Sequence, residues 1–123
     1  MVKKFFFDTY ALVEIAKGSQ AYLPYKDEVN ILLHRMNLLE FVYFLIREGK
    51  KSQIAEYLSS LSRFAVEFDD SIIVSAAEMK KEFSKEKLSF VDCLGYQLAK
   101  QHKVKFLTGD EKFKHKENVE FVK

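Results

Sequence analysis

The sequence of 123 residues contains one cysteine, one proline, four glycines and no tryptophan. One cysteine excludes an intramolecular disulfide and a multi-cysteine metal site, and we expect Cys93 to be a small buried residue. No apolar run approaches the roughly 20 residues that cross a bilayer, so we expect no membrane segment. Asp8 and Glu14 interrupt the apolar stretch after the first lysines, which is atypical of a signal peptide. We therefore expect a cytoplasmic protein.

The remaining composition is that of one globular domain. Hydrophobic residues make up 48% of the chain and charged residues 31%, and the length fits a single domain over residues 1–123. Twelve phenylalanines and six tyrosines predict a core built largely on aromatic rings. Phe41, Tyr43, Phe44 and Tyr57 are candidates for an apolar interface, although core packing is the commoner use of such rings.

The net charge of +2 is unevenly distributed along the chain. Residues 80–116 contain ten lysines against five acids. A basic segment of this kind attracts phosphate groups, although lysines on helices more often form a solvated face. The charge pattern alone therefore does not identify a nucleic-acid-binding protein.

Short apolar segments alternate with amphipathic ones along the chain. The pattern predicts strands over residues 2–7, 29–33, 64–68, 104–107 and 119–122. It predicts helices over residues 9–17, 37–48, 51–62, about 70–83 and about 89–102, and a loop or short helix over 19–28. This alternation predicts an α/β three-layer sandwich with a mainly parallel sheet of four or five strands.

Four acidic residues follow the predicted strands or open the helices after them. Asp8 directly follows the first strand, and Asp110 comes shortly after the strand that ends at residue 107. Glu40 is predicted in the first turn of the helix after the second strand, and Asp92 in the first turn of the helix that Ser89 opens. In a parallel sheet all four would meet at one edge, where ligands bind. Carboxylates without histidine or cysteine partners favour Mg²⁺ or Mn²⁺ over zinc.

Each acid also has a purely structural interpretation. Asn37-x-x-Glu40 and Ser89-x-x-Asp92 resemble capping boxes. Asp8 is a suitable N-cap for the first helix, and Asp110 suits a turn. The pattern by itself leaves a metal site and a set of helix caps both open.

The segments FFFDTYALVEI, MNLLEF, LSFVDCLGYQLA and KFLTGDEKF occur in this order over essentially the whole chain. Together they resemble the PIN-domain family, especially its short stand-alone members, the VapC-type toxins of toxin–antitoxin pairs. The resemblance implies strand order 3-2-1-4-5. It also implies a Mg²⁺- or Mn²⁺-dependent ribonuclease that leaves a 5′-phosphate and a 3′-hydroxyl. Asn37 departs from the serine or threonine usual three residues before the glutamate, but asparagine also caps helices well.

The resemblance also implies roles for particular residues and partners. The catalytic, metal-holding acids would be Asp8, Glu40, Asp92 and Asp110, with Thr9 and Thr108 as supporting hydroxyls. A homodimer, an RNA substrate and a small antitoxin protein are the expected partners. The lysines that are candidates to hold the RNA backbone are Lys80, Lys81, Lys85, Lys87, Lys112 and Lys114.

Two other function classes compete with the nuclease. One is a PIN-like module that binds RNA or a protein partner without cutting. The other is a receiver-like signalling domain, which also places acids and Mg²⁺ at strand ends. It is disfavoured because Thr9 rather than a second acid follows Asp8, and because the late strand does not end in a lysine. His34, His102 and His115 are widely separated, and we expect them to be surface or structural residues.

Overall fold

A parallel sheet lies between two layers of helices in the computed structural model, which describes residues 3–27 and 29–123. The four strands of this part of the chain have the order β2-β1-β3-β4, and every neighbouring pair is parallel. The elements are β1 Lys3–Phe7, α1 Thr9–Ala16, α2 Pro24–Asp27, β2 Val29–Leu32, α3 Arg35–Arg47, α4 Ile54–Leu61, α5 Asp70–Glu82, α6 Phe90–Gln101, β3 Lys105–Thr108 and β4 Val119–Phe121. The predicted α/β sandwich is confirmed.

The three consecutive phenylalanines of β1 supply both faces of the sheet, because successive side chains of a strand point to opposite sides. Phe5 and Phe7 pack on one side with the apolar residues of α1, α3 and α4. Phe6 packs on the other side with Phe106 of β3 and the inner residues of α5 and α6. Burial on both faces explains why β1 is continuously apolar rather than alternating. The central position of β1 places the residue that follows it, Asp8, at the middle of the sheet edge.

The predicted strand over residues 64–68 is wrong. This segment makes a single parallel bridge, between Leu33 and Ala65. Phe64 belongs instead to the 3₁₀ turn Ser62–Phe64, and β2 ends at Leu32, one residue before the bridge. With this strand left out, the expected order 3-2-1-4-5 becomes the observed order of four.

Most predicted helices occur with shifted ends. The helix expected over 37–48 is α3, which begins at Arg35 with His34 as its N-cap. Glu40 therefore lies in the second turn of α3, not the first as expected. The segment 19–28 contains a 3₁₀ turn, Gln20–Tyr22, and the short helix α2. Val2, assigned above to the first strand, and Glu28 lie outside the described residues. Across residues 3–27 and 29–123, no helix combines the length and apolar character needed to cross a membrane.

Helix α6 carries a glycine, Gly95, where it crosses the sheet. A Cβ atom at this position would lie 3.0 Å from the Phe106 ring and 3.1 Å from the Phe6 ring. Glycine costs up to about 1 kcal/mol in a helix interior relative to alanine. Its presence here allows α6 to approach the aromatic rings of β1 and β3 closely. This approach brings the N-terminal turn of α6, with Asp92, against the sheet edge.

We expect Gly95→Leu to lower the free energy of unfolding by about 1–3 kcal/mol or more, because the added side chain has to displace buried aromatic rings. Urea denaturation measures the change. Gln101→Leu, at an exposed position of the same helix, is the matched control and should change stability by less than about 0.5 kcal/mol. Equal stability of the two variants would contradict the close-approach argument.

Candidate active site

Asp8 is the buried centre of the acidic site. It lies between β1 and α1, is 3% exposed, and is the N-cap of α1, with Oδ1 accepting from the Thr9 backbone N–H at 2.7 Å. Oδ2 accepts from the Thr108 hydroxyl at 2.7 Å. Burial, followed by the neighbouring charge of Asp92, raises the pKa of Asp8 to about 8 despite these hydrogen bonds. An acid with such a perturbed pKa at the edge of a sheet is a candidate functional group.

The segment after β3 ties Asp110 to Asp8 through Thr108. The fully buried Thr108 hydroxyl donates to Asp8 and accepts from the Asp110 backbone N–H at 3.0 Å. Gly109 lies between them, and a Cβ atom there would overlap the Tyr10 ring and the Val122 carbonyl oxygen. Glycine is therefore required for the tight path from β3 to Asp110. The Asp110 carboxylate also accepts from the Lys112 N–H at 3.0 Å and so caps a 3₁₀ turn.

Asp92 reaches the site from the first turn of α6. The capping box expected from Ser89-x-x-Asp92 is present, with Asp92 Oδ2 accepting from the Ser89 N–H at 3.1 Å and the Ser89 hydroxyl accepting from the Asp92 N–H at 3.0 Å. Burial raises the pKa of Asp92, the charge of Asp110 adds to the rise, and the bonds to Ser89 and the charge of Lys112 oppose it. Asp92 therefore belongs both to the capping box of α6 and to the acidic site.

Glu40 comes from α3 and contacts the site through Thr9. Its Oε1 accepts from the Thr9 hydroxyl at 2.6 Å. Because Thr9 is adjacent to Asp8, this bond connects the acid of α3 to the acid at the end of β1. The alternative that Glu40 is part of a capping box is wrong, because Asn37 pairs with His34 at the start of α3 instead.

All four acids line one cavity of about 690 Å³ at the carboxyl edge of the sheet. The structure thus brings together the four acids predicted from the sequence, and Thr9 with them. A larger cavity of about 840 Å³, between α5, α6 and residues 111–117, contains none of the four. The presence of four carboxylates in the lining, rather than cavity size, identifies the candidate site.

Sequence reasoning missed several other residues of this cavity. Glu14, from the second turn of α1, lies beside the acids, as do Tyr43 and Arg47 of α3. The sequence spacing could have indicated two of them, because Tyr43 and Arg47 follow Glu40 by three and seven residues and therefore lie on the same face of the helix.

The donor set suits a hard divalent cation in its chemistry. Carboxylate oxygens are the ligands that Mg²⁺ and Mn²⁺ prefer, and a cation would offset the repulsion and burial that raise the pKa values of Asp8 and Asp92. In residues 3–27 and 29–123, however, no three histidine, cysteine or acidic side chains are grouped closely enough to hold an ion as they stand. The carboxylates would have to converge when an ion binds, which their mutual repulsion opposes in its absence.

The candidate lysines do not form one group. Lys80 donates to the Leu88 carbonyl at 2.7 Å and Lys112 to the Lys87 carbonyl at 3.1 Å, so both support the loop before α6. Lys112 also lies close enough to Asp92 to affect its pKa. The side chains exposed to solvent are those of Lys81, Lys85, Lys87, Lys112 and Lys114.

His34 is structural, as expected, but it is buried rather than at the surface. Its Nδ1 accepts from the Met36 N–H at 3.1 Å and so caps α3, and its Nε2 lies 3.3 Å from the Val91 carbonyl oxygen in α6. The imidazole therefore joins the start of the helix that carries Glu40 to the start of the helix that carries Asp92. Burial lowers the pKa of His34 to about 4.

We expect His34 to make stability depend on pH. Its folded pKa is lower than its unfolded value of about 6.5, so the stabilisation by the neutral ring is complete above pH 6.5 and is lost as the pH falls towards 4. The loss should be on the order of 3 kcal/mol. Denaturant unfolding at pH 7 and pH 4.5 measures it, with His34→Asn as a capping variant that does not titrate. The same pH dependence in both proteins would contradict this assignment.

We also expect the metal-free site to be destabilising at neutral pH. Because the folded pKa of Asp8 is raised, its contribution to the free energy of unfolding falls as the pH rises from about 4 to about 8. Asp8→Asn keeps the shape and removes the charge: its amide oxygen can still accept from the Thr9 N–H, and its NH₂ group would donate to the Thr108 oxygen instead of accepting from it. In EDTA its Tm should exceed that of wild type, by more at pH 8 than at pH 5. A lower Tm for the variant at pH 8 would show that the carboxylate stabilises the fold.

Comparison with known proteins agrees with this geometry. The family model of the PIN domain matches residues 5–119, whereas no curated protein matches the chain. Among solved structures, a toxin–antitoxin complex from Klebsiella pneumoniae superimposes with a TM-score of 0.74 at 16% identity, covering 94% of each chain. The VapBC2 complex from Rickettsia felis bound to a promoter DNA fragment superimposes with a TM-score of 0.72 at 21% identity, covering 98% of this chain and 99% of that one.

Similarity at these identities establishes the shared fold, and the family model adds the match in sequence. The matched region begins in β1 and ends at the first residue of β4, so it includes all four acids of the site. This family match argues against the receiver-like signalling domain considered from the sequence. The chain therefore belongs to the PIN domain family.

Proposed function

We propose that this protein is a Mg²⁺- or Mn²⁺-dependent ribonuclease that hydrolyses RNA phosphodiester bonds as the toxin of a toxin–antitoxin pair. The observation that carries the proposal is the buried Asp8 carboxylate, which faces Asp92 and Asp110 in one cavity with a strongly raised pKa. Burying like charges together costs stability, and a bound cation is the simplest reason to retain them. Membership of the PIN domain family, whose members are generally nucleases, supports the same conclusion.

The proposed roles follow from where each side chain is held. Asp8, Asp92 and Asp110 would hold the cation, and Glu40 would contact it directly or through water. The Thr108 hydroxyl donates its proton to Asp8, and this hydrogen bond orients the Asp8 carboxylate as the acceptor. When bound, a divalent cation supplies Lewis-acid polarisation of the phosphate and makes water more acidic.

The RNA substrate is supported by charge. Exposed lysines lie in the segment after α5 and in the turn after Asp110, and one of them, Lys112, is close enough to Asp92 to affect its pKa. They would contact the phosphate backbone on either side of the cleaved bond, so binding should weaken steeply as salt rises. Lys80 would act indirectly, because its ammonium group supports the Leu88 carbonyl.

The toxin role and the partners are supported by the kinds of structure that this fold resembles, a toxin–antitoxin complex and a VapBC2 complex. We propose a small antitoxin protein and a second copy of this chain as partners. Helix α3 presents an exposed apolar stripe of Met36, Leu39, Tyr43 and Ile46 beside the cavity, with Leu39 60% and Tyr43 63% exposed. Phe41 and Phe44, candidates for an interface above, are buried in the core instead.

A non-catalytic module that binds RNA or a protein is the second candidate. The observation in its favour is that the acids, as they stand, do not surround a common ion position in the described part of the chain. Metal dependence of cleavage separates the two candidates.

We expect purified protein to cleave single-stranded RNA with Mg²⁺ or Mn²⁺ and not with EDTA. Asp92→Asn should reduce cleavage by at least about 100-fold, because it removes a charged ligand while its side-chain oxygen still accepts from the Ser89 N–H. Gel analysis of end-labelled RNA, with 5′-phosphate and 3′-hydroxyl products expected, measures this.

Asp69→Asn is the matched control for that experiment. Asp69 is also a helix-capping aspartate, at the start of α5, but it does not line the acidic cavity. The control should cleave like wild type, and thermal unfolding should show all three proteins folded. RNA binding without cleavage under any divalent metal would favour the binding module instead.

A further inference from the structure

A chain of three hydrogen bonds connects the start of α3 to Glu40 through another helix. The His34 backbone N–H donates to Asn37 Oδ1 at 3.0 Å. Asn37 Nδ2 donates to Thr9 Oγ1 at 3.1 Å. The Thr9 hydroxyl donates to Glu40 Oε1 at 2.6 Å. Asn37 is 1% exposed, whereas Thr9 and Glu40 line the acidic cavity, so these hydrogen bonds lead from the interior to the cavity wall.

The direction of the first two of these bonds follows from the first donor. A backbone N–H can only donate, so the Asn37 atom that it meets has to be the amide oxygen. The Asn37 NH₂ group then faces Thr9 and can only donate to it. The Thr9 oxygen receives that hydrogen and donates its own proton to Glu40 Oε1, which lies 2.6 Å away. Glu40 Oε1 is consequently held as an acceptor.

Helix capping does not account for this arrangement. Capping uses only the oxygen of Asn37, which accepts from the His34 N–H, and an aspartate would serve equally well there. The NH₂ group is superfluous for the cap, yet it is buried and paired with a hydroxyl on α1. That hydroxyl belongs to the residue next to Asp8. The amide therefore links the cap of α3 to the acidic site.

We propose that Asn37 is a positioning residue of the acidic site, whose amide directs the Thr9 hydroxyl onto Glu40 and so holds this carboxylate at the cavity that it shares with Asp8. This inference rests on the proposed function for its catalytic consequence, but the hydrogen-bond chain itself exists independently of any activity. Residues that orient metal-site carboxylates in this way typically change metal affinity or activity by 10–100-fold when they are replaced.

Asn37→Asp is the variant that separates positioning from capping. One aspartate oxygen still accepts from the His34 N–H, so α3 keeps its cap. The other oxygen can only accept, so it competes with Glu40 for the Thr9 proton. Thr9→Val removes the same proton from Glu40 without adding a charge near it, and Thr9→Ser keeps the hydroxyl.

The first test uses metal-free protein and needs no activity. In ¹⁵N-labelled wild type, one Asn37 side-chain amide proton should be shifted downfield and exchange slowly with solvent, because it is buried and bonded to Thr9. Thr9→Val should remove this signature and Thr9→Ser should retain it. An unchanged Asn37 resonance in Thr9→Val would overturn the proposal.

The second test measures Mn²⁺ affinity by calorimetry and RNA cleavage in the same variants. Asn37→Asp and Thr9→Val should each weaken Mn²⁺ binding or lower kcat about 10–100-fold with little change in KM. The double variant should be no worse than the poorer single one, because both break the same chain. Asp69→Asn is the control, and thermal unfolding verifies that each variant is folded.

The outcomes separate this inference from the proposed function. If wild type binds Mn²⁺ but cleaves no RNA, the nuclease proposal fails, and the resonance and affinity measurements still decide the role of Asn37. Additive losses in the double variant, or wild-type affinity and cleavage in Asn37→Asp, would overturn the positioning role while leaving the nuclease intact.

Discussion

The hydrogen bond from the Thr108 hydroxyl to the buried Asp8 carboxylate is the contact on which the site depends. It crosses from the end of β3 to the end of β1, neighbouring strands at the centre of the sheet. The same hydroxyl accepts from the Asp110 N–H. One buried side chain thus sets the positions of two acids, and the parallel sheet ensures that both lie at the same edge.

The buried aromatic core on both faces of β1 offsets the destabilisation that this arrangement causes. Burial and repulsion raise the pKa of Asp8, so the metal-free site opposes folding at neutral pH. Against this, Phe6 and Phe7 are completely buried on opposite faces of the same strand. Buried like charges beside an aromatic core depart locally from the rules of stable folding, and such departures are expected at functional sites.

Much of the fold and the four acids could be predicted from the sequence, because their signals are local. The apolar run before Asp8 and the motif Ser89-x-x-Asp92 each describe a few consecutive residues. The strand predicted over 64–68 was wrong because the alternation of apolar and polar residues does not show whether a neighbouring strand is available for pairing. The boundary of α3 was misplaced because His34, which caps it through its ring nitrogen, is an uncommon N-cap residue.

The class of fold, the family resemblance and the identity of the four acids can be read from the amino-acid sequence, since periodicity and motif order are properties of the chain. The surroundings of those acids are set by folding. Burial and the charge of Asp92 raise the pKa of Asp8, and Asp8 shares one cavity with Glu40. Hydrogen bonds join Asn37 to Thr9 and Asp8 to Thr108, and these partners are up to about a hundred positions apart in the sequence. Burial and hydrogen-bond direction are properties of such contacts, and spacing along a chain does not contain them.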